Sequence, residues 1–496
     1  MDTTPKSTEP AVGRSLETHQ VVGRILGPAL FLLMFMSDQR QEAMSVEAWR
    51  VAAVGLWMAV WWATEAIPVP VTAFLPIVLF EPLGISSIRD AAAPFANPTI
   101  YLFLGGFVMA LAIERWNLHR RIALAILDRT GTDGRRLIGA FMFVCAILSM
   151  WMTNTSTTMM LLPIVLSVVA VIRDNVPNLT DKARQDFQIA MLLGLAYSAS
   201  IGGLATLIGT PPNALLMGFM AESYGIEISF ARWMLVGIPV SMVMLPIAWI
   251  ALTRFLFPVN IPASEAVRNH LHKMREELGP MTTPERRVAI IFAVVIASWM
   301  LRRPVTEALG LTGISDAGIV MTAALLFFMI PSANAEQPQL MTWQDTTRLP
   351  WGVLILFGGG LSLAAAVSDS GLALWLGEQL APLNAWGTVA LVVASVALVI
   401  FLTELTSNLA TTATLLPVMG AIAIQAGLPP ILLTVPITIA ASCAFMLPVA
   451  TPPNAIVFAT GEISIPQMVR AGVFLNIIGI IIVSLVALNL APVLLN

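Results

Sequence analysis

Apolar segments follow one another closely along this chain and are separated by short polar stretches. They lie at about 21–36, 50–63, 70–82, 98–113, 137–152, 159–172, 188–207, 233–257, 287–301, 315–331, 350–367, 387–403, 409–426, 429–448 and 471–494. A helix needs roughly 20 apolar residues to cross a bilayer, and several of these segments are shorter than that. The pattern predicts an all-α polytopic membrane protein with about 11 transmembrane helices.

Two polar signatures interrupt the apolar segments, and they are nearly the same. The first is Thr153–Thr158, followed by Leu161-Leu162-Pro163, and the second is Ser407–Thr412, followed by Leu415-Leu416-Pro417. Each is trailed by Thr-Pro-Pro-Asn-Ala, at 210–214 and 451–455, and preceded by a glycine-rich segment, at 102–106 and 354–360. Three colinear matches indicate an internal duplication.

The composition agrees with a membrane protein and excludes other classes. Hydrophobic residues make up 57% of the chain and charged residues 11%, with a mean hydropathy of +0.84. A soluble chain carries about 25% charged residues. No run of Lys and Arg interleaved with aromatic residues suggests a nucleic-acid surface. Residues 1–20 are polar and lack the apolar core of a signal peptide, so we expect them to form a cytoplasmic N-terminus.

Lys and Arg concentrate on the cytoplasmic side of membrane proteins, and here they orient the first signature. The loops at 114–136 and 173–187 are both rich in these residues, so both should be cytoplasmic. The intervening segment, about 137–172, then starts and ends on one side. It predicts a re-entrant helical hairpin with Thr153–Thr158 at its tip. Two complete crossings are the alternative, which the short length disfavours.

The second signature shows the opposite pattern. No Lys or Arg occurs between Arg348 and Arg470. The flanking loops should therefore be extracellular or periplasmic, and the second hairpin, about 387–426, should enter from outside. Two similar units of opposite orientation make an inverted-topology repeat, with a first half at 21–257 and a second half at 287–496.

A hydrophilic segment at about 258–286 joins the halves and is predicted to be a cytoplasmic amphipathic connector. It carries His270 and His272, for which a metal role is the alternative to a solvated helix face. The solvated face is favoured, because residues two apart on a helix do not face each other and no Cys or further His lies nearby.

The chemistry of the signatures predicts a binding site. Asn, Ser and Thr offer uncharged side-chain oxygens, and the proline pairs at 211–212 and 452–453 prevent a continuous helix and free backbone groups. Non-helical backbone inside a membrane is tolerated where it lines a cavity. Carbonyl and hydroxyl oxygens suit a small hard cation such as Na⁺, and helix N-termini suit an anion. Neither signature contains Lys or Arg, so an anionic substrate would need co-bound cations.

The polar residues of the two signatures have an alternative, purely structural interpretation. Ser, Thr and Asn often join membrane helices by hydrogen bonds without binding a ligand. The duplication, the opposite orientation and the paired proline breaks favour a binding site instead. Glu404, just before the second signature, either orders the hairpin tip or carries protons. We favour the ordering role, with interfacial water supporting the charge near a helix end.

These motifs resemble those of the divalent anion/sodium symporter family, which includes the sodium–dicarboxylate cotransporters. The resemblance covers about 50–490 and includes Phe95-Ala96-Asn97-Pro98, Arg115–Arg121 and Pro350–Gly360, besides the paired signatures. It implies a homodimer in which each subunit combines a scaffold domain with a transport domain that moves in an elevator-like cycle.

The resemblance also implies site residues, by motif position. A first sodium site would use Ser149, Thr153, Asn154 and the backbone at Gly209. A second would use Thr403, Ser407, Asn408 and the backbone at Ala450. Substrate carboxylates would meet the tips at Asn154, Thr155, Asn408 and Leu409, with Thr210, Pro212, Thr451 and Pro453 nearby.

Two residues depart from the family's paired Ser-Asn-Thr pattern. Thr153 replaces the first Ser and keeps its hydroxyl group. Leu409 replaces the second Thr, which removes a hydroxyl group from the substrate side and adds bulk. We therefore expect Leu409 to bear on which anion is transported.

The function predicted from these observations is Na⁺-coupled uptake of a small di-anion, a C4-dicarboxylate such as succinate, across a bacterial inner membrane. Sulfate or a tricarboxylate such as citrate is the nearest substrate alternative, and anion exchange without Na⁺ is the mechanistic alternative. A passive channel is a further alternative, which flux that does not saturate would reveal. An intramembrane enzyme is disfavoured, because neither His-Glu-x-x-His nor Gly-x-Ser-x-Gly occurs. No organic cofactor is expected.

Overall fold

The structure is a computed structural model that describes residues 17–38, 44–176, 179–380 and 387–495. Regular structure in these ranges is helical, apart from one isolated bridge between two loop residues. The predicted all-α class is therefore confirmed. Residues 1–16 of the predicted polar N-terminus lie outside the described ranges.

The described residues of the first half form twelve α-helices. They are α1 Thr18–Met36, α2 Val46–Thr64, α3 Val69–Thr72, α4 Leu75–Leu79, α5 Ile88–Ala92, α6 Pro98–Arg115, α7 Leu118–Leu127, α8 Gly134–Ser149, α9 Asn154–Asn175, α10 Asp181–Gly203, α11 Pro211–Tyr224 and α12 Phe230–Ile250. A π-helical turn, Ala251–Leu256, continues α12.

The connector contains one helix, and the second half follows it. These helices are α13 Glu265–Glu276, α14 Thr283–Leu309, α15 Asp316–Met329, α16 Trp351–Asp369, α17 Leu372–Leu380, α18 Gly387–Leu402, α19 Asn408–Gln425, α20 Ile431–Ala441, α21 Pro452–Phe458, α22 Ile465–Asn489 and α23 Ala491–Leu495. Short 3₁₀ turns precede α6 and α16.

Eight helical spans within the described ranges are long and apolar enough to cross a membrane. They are Thr18–Met36, Ile88–Arg115, Asn154–Asn175, Phe230–Leu256, Thr283–Leu309, Trp351–Asp369, Asn408–Gln425 and Ile465–Asn489. Shorter apolar helices, such as α15, α18 and α20, lie among them. The chain is thus a polytopic membrane protein, and the number of about 11 crossings stays a prediction.

The helices around the first signature begin and end for local reasons. Helix α8 begins after Asp133, whose side chain accepts a hydrogen bond from the Arg136 N–H, and it ends at Ser149. Helix α9 begins at Asn154, because Thr153 adopts an extended conformation and its hydroxyl accepts the Ser156 N–H. The signature therefore occupies the turn between two helices and the first turn of the second.

The connector helix α13 packs against the membrane helices. Its apolar residues Val267 and Leu271 are buried, and the helix contacts α7 and α9. The side chain of Arg275 pairs with Asp128 at the end of α7, with 2.5 Å between Nη1 and Oδ2. This hydrogen bond holds the pKa of the Asp128 carboxyl below its usual value.

The two connector histidines contact neighbouring helices, so the prediction of a simply solvated face is incomplete. His272 Nδ1 lies 3.3 Å from a carboxylate oxygen of Asp128, and His270 Nε2 lies 3.1 Å from Ser167 Oγ on α9. The described residues include no group of three or more His, Cys, Asp or Glu that could hold a metal ion. Because α13 packs on α7 and α9, both histidines can contact residues of these membrane helices or their ends.

Candidate functional site

Four helices begin at the duplicated motifs. Helices α9 and α19 begin at Asn154 and Asn408, within the two signatures. Helices α11 and α21 begin at the proline pairs, Pro211 and Pro452 being their first residues. Proline is well suited to the first turn of a helix, where the N–H has no partner within the helix. The proline pairs therefore start α11 and α21, while α10 and α20 end several residues earlier, at Gly203 and Ala441.

A cluster of oxygen atoms lies beneath the first tip. The hydroxyl of Ser149 donates a hydrogen bond of 2.7 Å to the carbonyl oxygen of Ala199. The side-chain amide of Asn154 faces only oxygen atoms, so its nitrogen is assigned to that side. The nitrogen lies 2.7 Å from Ser149 Oγ, 3.0 Å from Ala199 O and 3.3 Å from Gly209 O. Residues predicted for the first cation site are thus in mutual contact.

The second tip repeats this arrangement. Thr403 Oγ1 lies 2.9 Å from the carbonyl oxygen of Ala441 and 2.8 Å from Asn408 Oδ1. The hydroxyl and the amide are again five residues apart, as Ser149 and Asn154 are. Two clusters of hydroxyl, amide and backbone carbonyl groups therefore have the same construction, as the duplication requires.

The predicted site residues become more buried with distance from the helix tips. Ser149 and Thr403, which carry the hydroxyl groups, are fully buried. The tip residues Thr153, Asn154, Thr155, Ser407 and Asn408 are partly exposed. Leu409, Gly209, Thr210, Pro212, Ala450, Thr451 and Pro453 are buried. The tips are therefore partly accessible, while Ser149 and Thr403 beneath them are shielded from solvent.

The N-termini of the two tip helices differ in their caps. The Thr153 hydroxyl accepts the Ser156 N–H at 3.2 Å, which occupies one of the donors at the start of α9. Ser407 makes no such side-chain cap at the start of α19 in the described structure. Because the first N–H groups of a helix lack partners within it, α19 keeps one more donor available to a ligand.

The broken helices cross between the two halves. Helix α11, from the first half, packs against α19 and α20, and helix α21, from the second half, packs against α9 and α10. Thr210 Oγ1 and Ser442 Oγ, one from each break, lie 3.5 Å apart. Each tip helix therefore lies beside the Thr-Pro-Pro motif of the other half. No hydrogen bond joins Asn154 to Asn408 directly among the described residues.

A comparison with known families decides the identity of this arrangement. The family described as sodium:sulfate symporter transmembrane region matches residues 19–495. The chain belongs to the sodium:sulfate symporter family. The resemblance inferred from the motifs is thereby confirmed, and membership of a transporter family confirms that the protein is not an enzyme.

Relatives of this symporter over nearly its full length include proteins from Staphylococcus. One from Staphylococcus saprophyticus, named sodium-dependent dicarboxylate transporter SdcS, is 40% identical over 97% of this chain and 93% of its own. A protein of the same name from Staphylococcus aureus is 42% identical over 96% of this chain and 92% of its own. The matched regions contain both signatures and both breaks.

Solved structures show a similar fold at low sequence identity. The transporter MtrF of Neisseria gonorrhoeae has a TM-score of 0.57 and 16% identity, and covers 82% of this chain and 85% of its own. YdaH of Alcanivorax borkumensis has a TM-score of 0.53 and 16% identity, and covers 80% and 86%. These likenesses concern the fold alone.

The ordering role predicted for Glu404 agrees with the structure, but the predicted support from interfacial water does not. Glu404 is 3% exposed, so its side chain is buried in the protein and away from interfacial water. Oε1 accepts the N–H groups of Phe445 at 2.8 Å and Met446 at 3.0 Å, and Oε2 accepts those of Met446 at 3.0 Å and Leu447 at 3.1 Å. Asn476 donates a further hydrogen bond of 2.8 Å from its amide. The side chain ties the second tip to the break between α20 and α21.

Other contributors were not identified from the sequence. The carbonyl groups of Ala199 and Ala441, the hydroxyl of Ser442 and the amide of Asn476 all belong to the two clusters or their supports. A backbone carbonyl leaves no mark in a sequence. Asn476 and Ser442 are polar residues within apolar segments, which was the one available signal.

Proposed function

We propose that this symporter takes up a dicarboxylate, such as succinate, together with Na⁺. The observation that carries the proposal is the identity of 40–42%, over nearly the whole chain, with proteins named sodium-dependent dicarboxylate transporters. The geometry of the tips supports it, because oxygen clusters and helix N-termini suit a cation and an anion respectively.

The two oxygen clusters are proposed as Na⁺ sites. The first comprises Ser149, Thr153, Asn154 and the Gly209 carbonyl. The second comprises Thr403, Ser407, Asn408 and the Ala450 carbonyl. The Asn154 amide nitrogen occupies the centre of the first cluster. When Na⁺ binds, the amide would rotate so that its oxygen contacts the ion. The ion would then take the place of the nitrogen among the surrounding oxygen atoms. Uncharged oxygen ligands suit Na⁺ because they satisfy a single charge without a buried anion.

The dicarboxylate is proposed to bind between the tips. Asn154 and Thr155 would contact one carboxylate at the N-terminus of α9, and Asn408 and the backbone at Leu409 would contact the other at the N-terminus of α19. Thr210, Pro212, Thr451 and Pro453 would line the remaining walls. Neither signature contains Lys or Arg, so bound Na⁺ would supply the positive charge that the di-anion needs. The cations must then bind before or with the substrate, which couples the two fluxes.

The proposed architecture follows the sequence predictions. The halves at 21–257 and 287–496 form an inverted repeat, the hairpins at about 137–172 and 387–426 are re-entrant from opposite sides, and 258–286 and the N-terminus are cytoplasmic. The protein is proposed to be a homodimer in the bacterial plasma membrane that works by an elevator mechanism. The crossed packing of α11 and α21 supports one movable unit built from both halves.

Sulfate is the second candidate substrate, because the family description names it. Citrate and sodium-independent anion exchange are the further alternatives. The second tip differs from the first because Leu409 has no hydroxyl group, whereas Thr155 has one. Leu409 therefore favours a substrate that needs no hydrogen bond from this side chain.

Uptake of radiolabelled succinate into proteoliposomes tests the proposal. We expect saturable uptake that depends on an inward Na⁺ gradient and that K⁺ or choline does not support. Unlabelled sulfate and citrate, added as competitors, rank the substrates. Asn154→Ala and Asn408→Ala should each abolish uptake, while Asn489→Ala, which changes an exposed Asn at the end of α22, should leave it unchanged. Na⁺-independent uptake with strong stimulation by internal succinate would refute symport in favour of exchange.

A further inference from the structure

Two asparagines outside the signatures occupy the same place in both breaks. Asn213 is the third residue of α11 and Asn454 is the third residue of α21, directly after the proline pairs. Both side chains are fully buried. Neither belongs to the sites proposed above.

Each asparagine donates hydrogen bonds back across its break. Asn213 Nδ2 lies 2.8 Å from Thr206 O, 3.3 Å from Gly203 O and 3.4 Å from Leu204 O. These carbonyl groups lie at and beyond the end of α10 at Gly203, where the helix supplies no further N–H partner. The Asn213 amide thus supplies donors to these carbonyl groups, together with the Trp233 indole N–H, which donates to Leu204 O at 3.1 Å.

The second break repeats the contact with the same spacing. Asn454 Nδ2 lies 3.0 Å from Leu447 O and 3.3 Å from Ala444 O. The acceptors are seven and ten positions before the asparagine in both halves. A contact that recurs at identical spacing in two halves is part of the construction of the break.

The oxygen ends of both side chains have no partner within the part of the chain that the structure describes. Asn213 Oδ1 and Asn454 Oδ1 are buried and accept no hydrogen bond there. An unpaired buried acceptor costs about 1–3 kcal/mol. Asn213 and Asn454 both carry this cost. We take this as an indication that each break depends on the amide nitrogen of its asparagine, which donates hydrogen bonds, and not on the amide oxygen.

A glycine on a neighbouring helix packs closely against each break. A Cβ atom at Gly237 on α12 would lie 2.4 Å from Leu204 O, and one at Gly472 on α22 would lie 2.4 Å from Phe445 O. Each broken segment therefore contacts both a close-packed helix and the asparagine amide. Their carbonyl groups have little freedom to reorient while both restraints are present.

We propose that Asn213 and Asn454 are positioning residues that set the cation affinity of the two sites. Each contacts the broken segment that leads to Gly209 or Ala450, whose carbonyl group is the backbone ligand of a proposed Na⁺ site. The first of these carbonyls already lies 3.3 Å from the Asn154 amide. The asparagines do not touch the ion; they keep its backbone ligand in place. This inference rests on the proposed Na⁺ coupling.

Thermal unfolding of the purified transporter, followed against Na⁺ concentration without substrate, tests the inference. Asn213→Ala and Asn454→Ala should each raise the half-saturating Na⁺ concentration about tenfold, which corresponds to about 1.4 kcal/mol of binding free energy. The Na⁺ dependence of succinate uptake should shift by a similar factor. Asn489→Ala is the matched control, since its amide also donates to a backbone carbonyl, but on an exposed helix.

The outcomes separate positioning from folding. A lower melting temperature with an unchanged Na⁺ midpoint would show a merely structural role and overturn the inference. Asn213→Ser and Asn454→Ser keep a short donor, so we expect smaller shifts from them. If neither the Ala nor the Ser variants gave folded protein, a folding role would replace the positioning role. An unaltered protein that does not respond to Na⁺ would refute the proposed function itself, and this inference with it.

Discussion

The buried carboxylate of Glu404 offers the sharpest test of how the second tip is held. Glu404→Gln keeps the shape of the side chain but replaces one carboxylate oxygen with an amide group that donates hydrogen bonds. If that group stands at the Oε2 position, it faces the N–H groups of Met446 and Leu447, and two hydrogen bonds of 3.0 and 3.1 Å are lost. Hydrogen bonds to a charged group contribute about 1.5–3 kcal/mol each.

The expected net loss is smaller than the sum of those bonds. Removing the charge also removes the free-energy cost of burying it, so we expect a destabilisation of about 2–4 kcal/mol. Unfolding entropy is about 2.1 cal/mol/K per residue, which for a chain of 496 residues is about 1 kcal/mol per degree. The melting temperature should therefore fall by about 2–4 °C.

Intrinsic fluorescence during a thermal ramp in detergent measures this change. Glu378→Gln, on the exposed part of α17, removes a charge without removing any of these contacts and is the matched control. A melting temperature for Glu404→Gln within experimental error of the unaltered protein would refute the anchoring role. If stability were unchanged but the pH dependence of uptake were lost, a proton-carrying role would replace it.

Two other substitutions test specificity and the connector. Leu409→Thr gives the second tip a hydroxyl group. We expect the ratio of kcat/KM for succinate to that for sulfate to change by about tenfold or more, because hydrogen bonding to a substrate discriminates strongly between substrates. An unchanged ratio would show that position 409 does not determine specificity. Asp128→Asn breaks the pair with Arg275 and should lower the melting temperature at neutral pH. Pairing with Arg275 lowers the pKa of Asp128 in the folded protein. The ion pair therefore stabilises the folded state above the ordinary carboxyl pKa of about 3.9, and this stabilisation is lost as the pH falls through the folded-state pKa. Melting curves of both proteins should therefore converge in acid, and a difference that persisted there would contradict the assignment.

The helix boundaries around the site were accessible from the sequence because they are set locally. Thr153 before Asn154, and the proline pair at 211–212, start helices through interactions within a few residues. The duplication was equally visible, since it is a property of the order of residues. These signals predicted where polar groups and free backbone would occur along the chain.

The relation between the two halves was decided by tertiary packing. The crossing of α11 onto α19, and of α21 onto α9, brings each tip beside the other half's proline motif, and no local pattern encodes that choice. Glu404 illustrates the same point. Its place near the second tip was visible, but its partners lie more than forty residues away and are backbone N–H groups.

The sequence alone thus determined the class of protein, the duplicated motifs and the places where the prolines interrupt a continuous helix, because these depend on residue type and short-range spacing. The structure alone decided which carbonyl groups face the tips, which backbone N–H groups bind the side chain of Glu404, and that Asn213 and Asn454 contact the breaks. Backbone groups are the same in every residue. Only the folded arrangement of helices determines which of them converge on one point.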